Sequence, residues 1–188
     1  MKNFLIVLVV LGVIGLGIFG WYRGGYDRMV GLNQRVQSSW AQVESQLQRR
    51  FDLIPNLVEA VKGYATHEKE LLTEVTRLRS QWGAAASVPE KVEAANSLNG
   101  VLSRLLLVSE SYPDLKANEN FRDFQAQLEG TENRIAVERM RYNQAVESFN
   151  AFQLSFFGRF FAGQTGLTQS AVYFKSDEAA KQAPKVKF

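Results

Sequence analysis

Cysteine is absent from the chain. That excludes disulfides, and it excludes an anchor built on a lipidated cysteine. Histidine occurs once, as His67, so a histidine metal cluster cannot form. Proline occurs only four times in 188 residues, which leaves room for long helices. An excess of one charge is also missing: the net charge is +3, and several of the basic residues, Lys175, Lys181, Lys185 and Lys187, fall at the end of the chain. No nucleic-acid partner is expected from so thin a basic balance. No window alternates apolar and polar residues for long enough to make a sheet.

What the chain does have is one long apolar run. Phe4 to Tyr22 carries no charge over 19 residues, and a helix needs about 20 to cross a bilayer core. A helix is the only single-segment solution there, because lipid cannot satisfy backbone N–H and C=O groups. Phe4, Leu8, Ile14 and Ile18 are expected to meet lipid, with Trp21 and Tyr22 at the headgroup layer. The run is too long for an ordinary signal peptide, and no A-x-A-like cleavage site follows it.

Past the anchor, apolar residues recur at alternating steps of three and four, the pattern of packed helices. The first row is Tyr22, Met29, Val36 and Val43, with Tyr26, Asn33, Trp40, Leu47 and Ile54 beside it. This predicts that the anchor helix runs on without a break to about Asp52. A second helix is predicted after Pro55, carrying Leu57, Val61, Tyr64, Leu71, Val75, Leu78 and Trp82 and stopping at Gly83. Ser87-Val-Pro-Glu90 has the form of a capping box and opens a third helix, which Pro113 ends. Asn118 caps the fourth, in which Phe121, Leu128, Ile135, Tyr142, Phe149 and Phe156 fall every seven residues.

Short connections favour antiparallel neighbours. The expected fold is therefore all-α: an N-terminal transmembrane helix continuing into an elongated antiparallel four-helix bundle. Residues 1–25 form the anchor, 26–161 the bundle, and 162–188 a terminal segment with a disordered tail. The fourth helix would span about 60 Å at 1.5 Å per residue, enough to return to the bilayer. Its end carries Phe152, Phe156, Phe157, Phe160 and Phe161, which should meet lipid or a neighbouring copy.

Several blocks resemble the LemA family: Gln48-Arg-Arg-Phe-Asp-Leu-Ile-Pro-Asn-Leu-Val-Glu59, Val61-Lys-Gly-Tyr-Ala-Thr-His-Glu68, Ser111-Tyr-Pro-Asp-Leu-Lys-Ala-Asn118, Thr131-Glu-Asn-Arg-Ile-Ala136 and Arg141-Tyr-Asn143. The resemblance covers about Tyr26 to Asn150. It implies a membrane anchor followed by an antiparallel helical bundle, and it implies no particular reaction. Two places depart from the family pattern: Phe156-Phe157 stands where a Phe-Pro pair is usual, and Lys175 follows Tyr173-Phe174 where an acid is usual. With the one apolar run, the expected location is the bacterial inner (cell) membrane, as a single-pass protein. Relatives with a lipoprotein signal favour an extracytoplasmic domain, whereas Arg23, Arg28 and Arg35 against Lys2 favour the cytoplasm. The reading taken is extracytoplasmic.

No catalytic, cofactor-binding or metal-binding residue is expected. His67 and Glu68 are adjacent and point about 100° apart on a helix, and the Glu-x-x-His pairs of ferritin-like bundles are missing. The heptad seams do hold charges, and a buried charge is costly unless paired. Arg50, Glu68, Glu132, Arg134 and Glu138 are therefore the candidate polar network. Asp52, Asn56 and Asn118 read as helix caps. Gly20-x-x-x-Gly24 is a spacing that lets membrane helices approach closely. Together these features predict a non-enzymatic, membrane-anchored scaffold or adaptor that self-assembles at the bilayer. Its partners would be membrane lipid, other copies and a membrane protein. The alternative is a regulatory or docking subunit of a membrane enzyme such as a protease.

Overall fold

The computed structural model of the chain describes residues 1–64 and 68–175. His67 and the tail expected to be disordered lie outside the described residues. Among the described residues there are seven helices and no strand: α1 (Lys2–Asp52), α2 (Ile54–Lys62), α3 (Lys69–Ala84), α4 (Val88–Ser109), α5 (Pro113–Ala117), α6 (Glu119–Leu154) and α7 (Phe156–Thr165). The all-α reading holds, and α1 is the unbroken helix that the first row of apolar residues predicted. The described residues divide into two compact units, Met1–Trp40 with Tyr142–Ala171, and the described parts of Ala41–Arg141 and Val172–Phe188.

The first unit is built from the first part of α1, the end of α6, and α7. Met29 and Val36 on α1 are buried, as are Tyr142, Val146 and Phe149 on α6. Trp40 packs its ring edge against Tyr142 at 5.4 Å. Helix α6 ends earlier than the heptad row predicts. Phe156 fits the row, but the chain breaks at Ser155, whose φ of −66° and ψ of 161° leave the helical region. Both the N–H and the hydroxyl of Ser155 donate to the Phe152 carbonyl, at 3.1 and 2.7 Å. Its hydroxyl also accepts from the N–H of Gly158 at 3.0 Å and so caps α7. A Cβ at Gly158 would sit 1.7 Å from the Phe152 carbonyl oxygen, so this corner requires glycine. Helix α7 ends at Gly166, whose φ of +73° is a left-handed termination that favours glycine.

An extended strap follows. Two buried amides on α6 hold it: Asn150 donates to the Ala171 carbonyl at 2.9 Å and accepts from the Ala171 N–H at 2.8 Å. Gln153 donates to the Leu167 carbonyl at 2.8 Å and accepts from the Ser170 hydroxyl at 2.9 Å. These bonds satisfy the two buried amides of α6 and fix the strap backbone at Leu167 and Ala171.

The second unit holds the larger core. Helix α3 packs along α4, and α2 against α3. Val43, Leu47 and Phe51 of α1 are buried, along with Leu57, Leu78, Leu98, Leu105, Leu115 and Phe121. Trp82 stacks on Phe51 at 4.8 Å and donates to Gln48 at 3.0 Å, and the Lys91 ammonium lies 5.4 Å from its ring. Lys91 also pairs with Glu44. The capping box is formed: the Glu90 N–H donates to the Ser87 hydroxyl, and the Glu90 carboxylate accepts from the N–H groups of Ala86 and Ser87. Those two backbone bonds, with the Ser87 hydroxyl, hold the Glu90 carboxyl below its ordinary value. Asn118 caps α6 through the Phe121 N–H at 3.1 Å and donates to the Tyr64 hydroxyl at 3.1 Å. One predicted helix is divided: the second apolar row gives α2 and α3, because helix α2 stops at Lys62, before Gly63.

Candidate membrane-interface site

The apolar run forms the first turns of α1, and its side chains from Phe4 to Phe19 are exposed. Phe4, Leu8, Ile14 and Ile18 are all more than half exposed. This is the one helix among the described residues long and apolar enough to cross a membrane, and no part of its apolar window is buried. In water such a surface would carry a large hydrophobic cost.

At the end of the run α7 docks on α1. Trp21 meets Phe157 at 5.4 Å, Phe160 at 6.3 Å and Phe161 at 5.2 Å between ring centroids. Tyr22 meets Phe160 and Phe161 at 6.3 and 6.0 Å. The approach is close because α1 has a glycine there: a Cβ on Gly25 would fall 2.1 Å from the Phe161 ring. Phe161 and Ala162 are buried, as is the backbone of Gly158. At 100° per residue these three share one side of α7, and Phe156, Phe157 and Phe160 lie on the other. Those three rings remain 85%, 54% and 47% exposed. A ten-residue helix with a packed side and a phenylalanine side is amphipathic toward lipid rather than water.

Next to this aromatic collar lies an open groove of about 940 Å³. Asp27, Arg28, Leu32 and Arg35 line it from α1, and Ser148 and Phe152 from α6. The Arg28 guanidinium sits 4.6 Å from the centre of the Phe152 ring.

Of the candidate polar network, the structure brings two residues together. Arg50 is 5% exposed and reaches Glu132 at 2.9 Å, with Glu132 about half exposed. Burial lowers the pKa of Arg50, and the Glu132 charge opposes that shift. Glu138 instead pairs with Arg141 on its own helix at 2.7 Å. Arg134 is exposed, and Glu68 precedes α3; neither has an ion pair among the described residues. No group of acidic residues placed to hold a metal occurs among the described residues.

A profile of the LemA family matches residues 39–188, most of the chain. The chain belongs to the LemA family. It is 23% identical to Protein LemA of Metamycoplasma hominis over 177 residues, covering 94% of this chain and 80% of that one. It is also 23% identical to Magnetosome protein MamQ 2 of Paramagnetospirillum magneticum over 201 aligned positions, covering 93% and 73%. In this LemA protein, Phe156 and Phe157 occupy the first turn of α7. That is a place where proline costs a helix little, so the departure from a Phe-Pro pair adds an exposed ring without disturbing the corner. Phe174 is buried, and Arg139 lies 5.7 Å from its ring. Three features of the site escaped the heptad reading: the break at Ser155, the glycine at 25, and the amides at 150 and 153. A serine three residues before Gly158 is the one local signal that could have marked the break.

Proposed function

We propose that this LemA protein is a non-catalytic helical scaffold that holds to the bilayer at two points, its anchor and the phenylalanine side of α7, and self-assembles there. The observation that carries the reading is the exposure of Phe156, Phe157 and Phe160 beside Trp21, where the apolar run ends. Exposed aromatic surface adjoining an anchor is stabilised by lipid, whereas in water it is a liability. Self-assembly has its own support. Gly20 and Gly24 fall one turn apart on the same side of α1, and a Cβ on either would meet nothing. The names of the relatives are those of a LemA protein and magnetosome proteins and specify no reaction, which is consistent with a non-catalytic role.

The test is the size of the full chain extracted in mild detergent, beside a Gly20→Ile, Gly24→Ile variant. A homogeneous homomer that the double variant breaks down is the expected result. A monomer accompanied by a second membrane protein would favour the regulatory-subunit reading, and a lone monomer would remove self-assembly.

A further inference from the structure

Beyond the anchor, the first unit has an uneven charge. Residues 23–40 and 142–171 contain four arginines, Arg23, Arg28, Arg35 and Arg159, against two acids, Asp27 and Glu147. The pairing within this set is weak. Arg23 and Asp27 stand 3.6 Å apart with both side chains about 70% exposed, a pair of small worth in water. Arg28 and Arg159 are exposed and have no ion pair among the described residues.

Position along α1 separates these arginines by role. Arg23 follows Tyr22 directly. Arg28 is six residues on, about 9 Å along the axis. Side chains on a helix lean toward its N-terminus, here the anchor, so Arg28 is carried back toward the headgroup layer. Arg35 lies about 20 Å from Tyr22, well beyond a Debye length of about 8 Å from that layer. Arg159 sits on α7 between the two phenylalanine pairs.

We infer that Arg23, Arg28 and Arg159 bind the headgroups of anionic phospholipids in the leaflet that the end of the anchor enters, with acyl chains against Phe156, Phe157 and Phe160. This rests on the membrane seating proposed above and adds a lipid class to it. A guanidinium presents a donor fork that matches phosphate oxygens. A zwitterionic headgroup brings its own ammonium to that phosphate, whereas a phosphatidylglycerol headgroup does not, so the basic rim distinguishes the two.

The full chain is reconstituted into vesicles doped with an equal share of either brominated phosphatidylglycerol or brominated phosphatidylcholine, and tryptophan quenching is compared. Every sample carries the same three tryptophans, so the ratio between lipids isolates the headgroup preference. Each basic residue at an anionic surface strengthens attraction about fivefold. The expected result is stronger quenching by phosphatidylglycerol, with the excess lost in the Arg23→Gln, Arg28→Gln, Arg159→Gln variant. Equal quenching by both lipids would overturn the lipid class and leave the seating intact. No quenching by either would remove the seating itself, and the inference with it. An excess that survives in the triple variant would overturn the assignment to these arginines. An excess abolished by inorganic phosphate, but not by chloride at matched ionic strength, would make the rim a site for free phosphate and overturn the lipid.

Discussion

Replacing Glu132 by Gln should destabilise the protein more than replacing Arg50 by Met, although both remove the same ion pair. The reason is the asymmetry of the pair. Arg50 is 5% exposed while Glu132 is 48% exposed. Glu132→Gln leaves a buried guanidinium whose Nε already lacks a partner. Breaking a fully buried pair in this way costs about 3–5 kcal/mol. With one partner half in water, about 2 kcal/mol is the appropriate scale. Arg50→Met removes the buried charge together with its desolvation cost, fills similar volume, and returns Glu132 to solvent, so the net change should be about 0–1 kcal/mol. Thermal unfolding in mild detergent reads this out. For a chain of this length, about 2 kcal/mol lowers Tm by roughly 4–8 °C. Equal losses for the two variants, or a larger loss for Arg50→Met, would refute the reasoning.

Further expectations concern caps and corners. Ser87→Ala should cost about 1 kcal/mol in denaturant unfolding, because it removes the hydroxyl that accepts the Glu90 N–H. Glu90 titrates below its ordinary value in the folded protein. Its contribution is therefore complete above the unfolded value of about 4.3 and is lost as pH falls through the lower folded value. The stability gap between wild type and Glu90→Ala should accordingly narrow in acid, and a gap that widened would contradict the assignment. Gly158→Ala should open the α6–α7 corner, since the Phe152 carbonyl lies where the new methyl would go; the cost is about 1–3 kcal/mol and shows as faster amide exchange in α7. Gly25→Val should push Phe161 away from α1 and change the emission of Trp21, while a spectrum identical to wild type would mean that α7 does not pack there.

Helix periodicity carried much of this fold because packed faces repeat every three or four residues. Met29, Val36 and Val43 are buried where the row placed them, and so are Phe121, Leu128, Ile135, Tyr142 and Phe149. The Ser87 cap was equally legible, being a local arrangement of side chain and backbone. Phe156 shows where periodicity stops informing. It continues the heptad, yet the helix ends at Leu154 because Ser155 bonds back to the Phe152 carbonyl and its hydroxyl accepts from the Gly158 N–H to start α7. A heptad position alone does not imply burial in a shared network either. Glu138 falls in the seam and bonds to Arg141 one turn away, while Thr131, also in the seam, satisfies its hydroxyl on the Gln127 carbonyl at 2.7 Å. The strap on Asn150 and Gln153 was not legible, because an amide in a helix gives no sign of which distant carbonyl it will meet.

The central claim is that the phenylalanine side of α7 lies in lipid. The chain has no cysteine, so a spin label on Phe156→Cys reports from one place. In reconstituted vesicles, its relaxation should respond to dissolved oxygen more than to a water-soluble nickel complex, whereas a label on Ser97→Cys, exposed on α4, should show the reverse. A label at residue 156 as open to the nickel complex as the one at residue 97 would show that α7 faces water and would contradict the account.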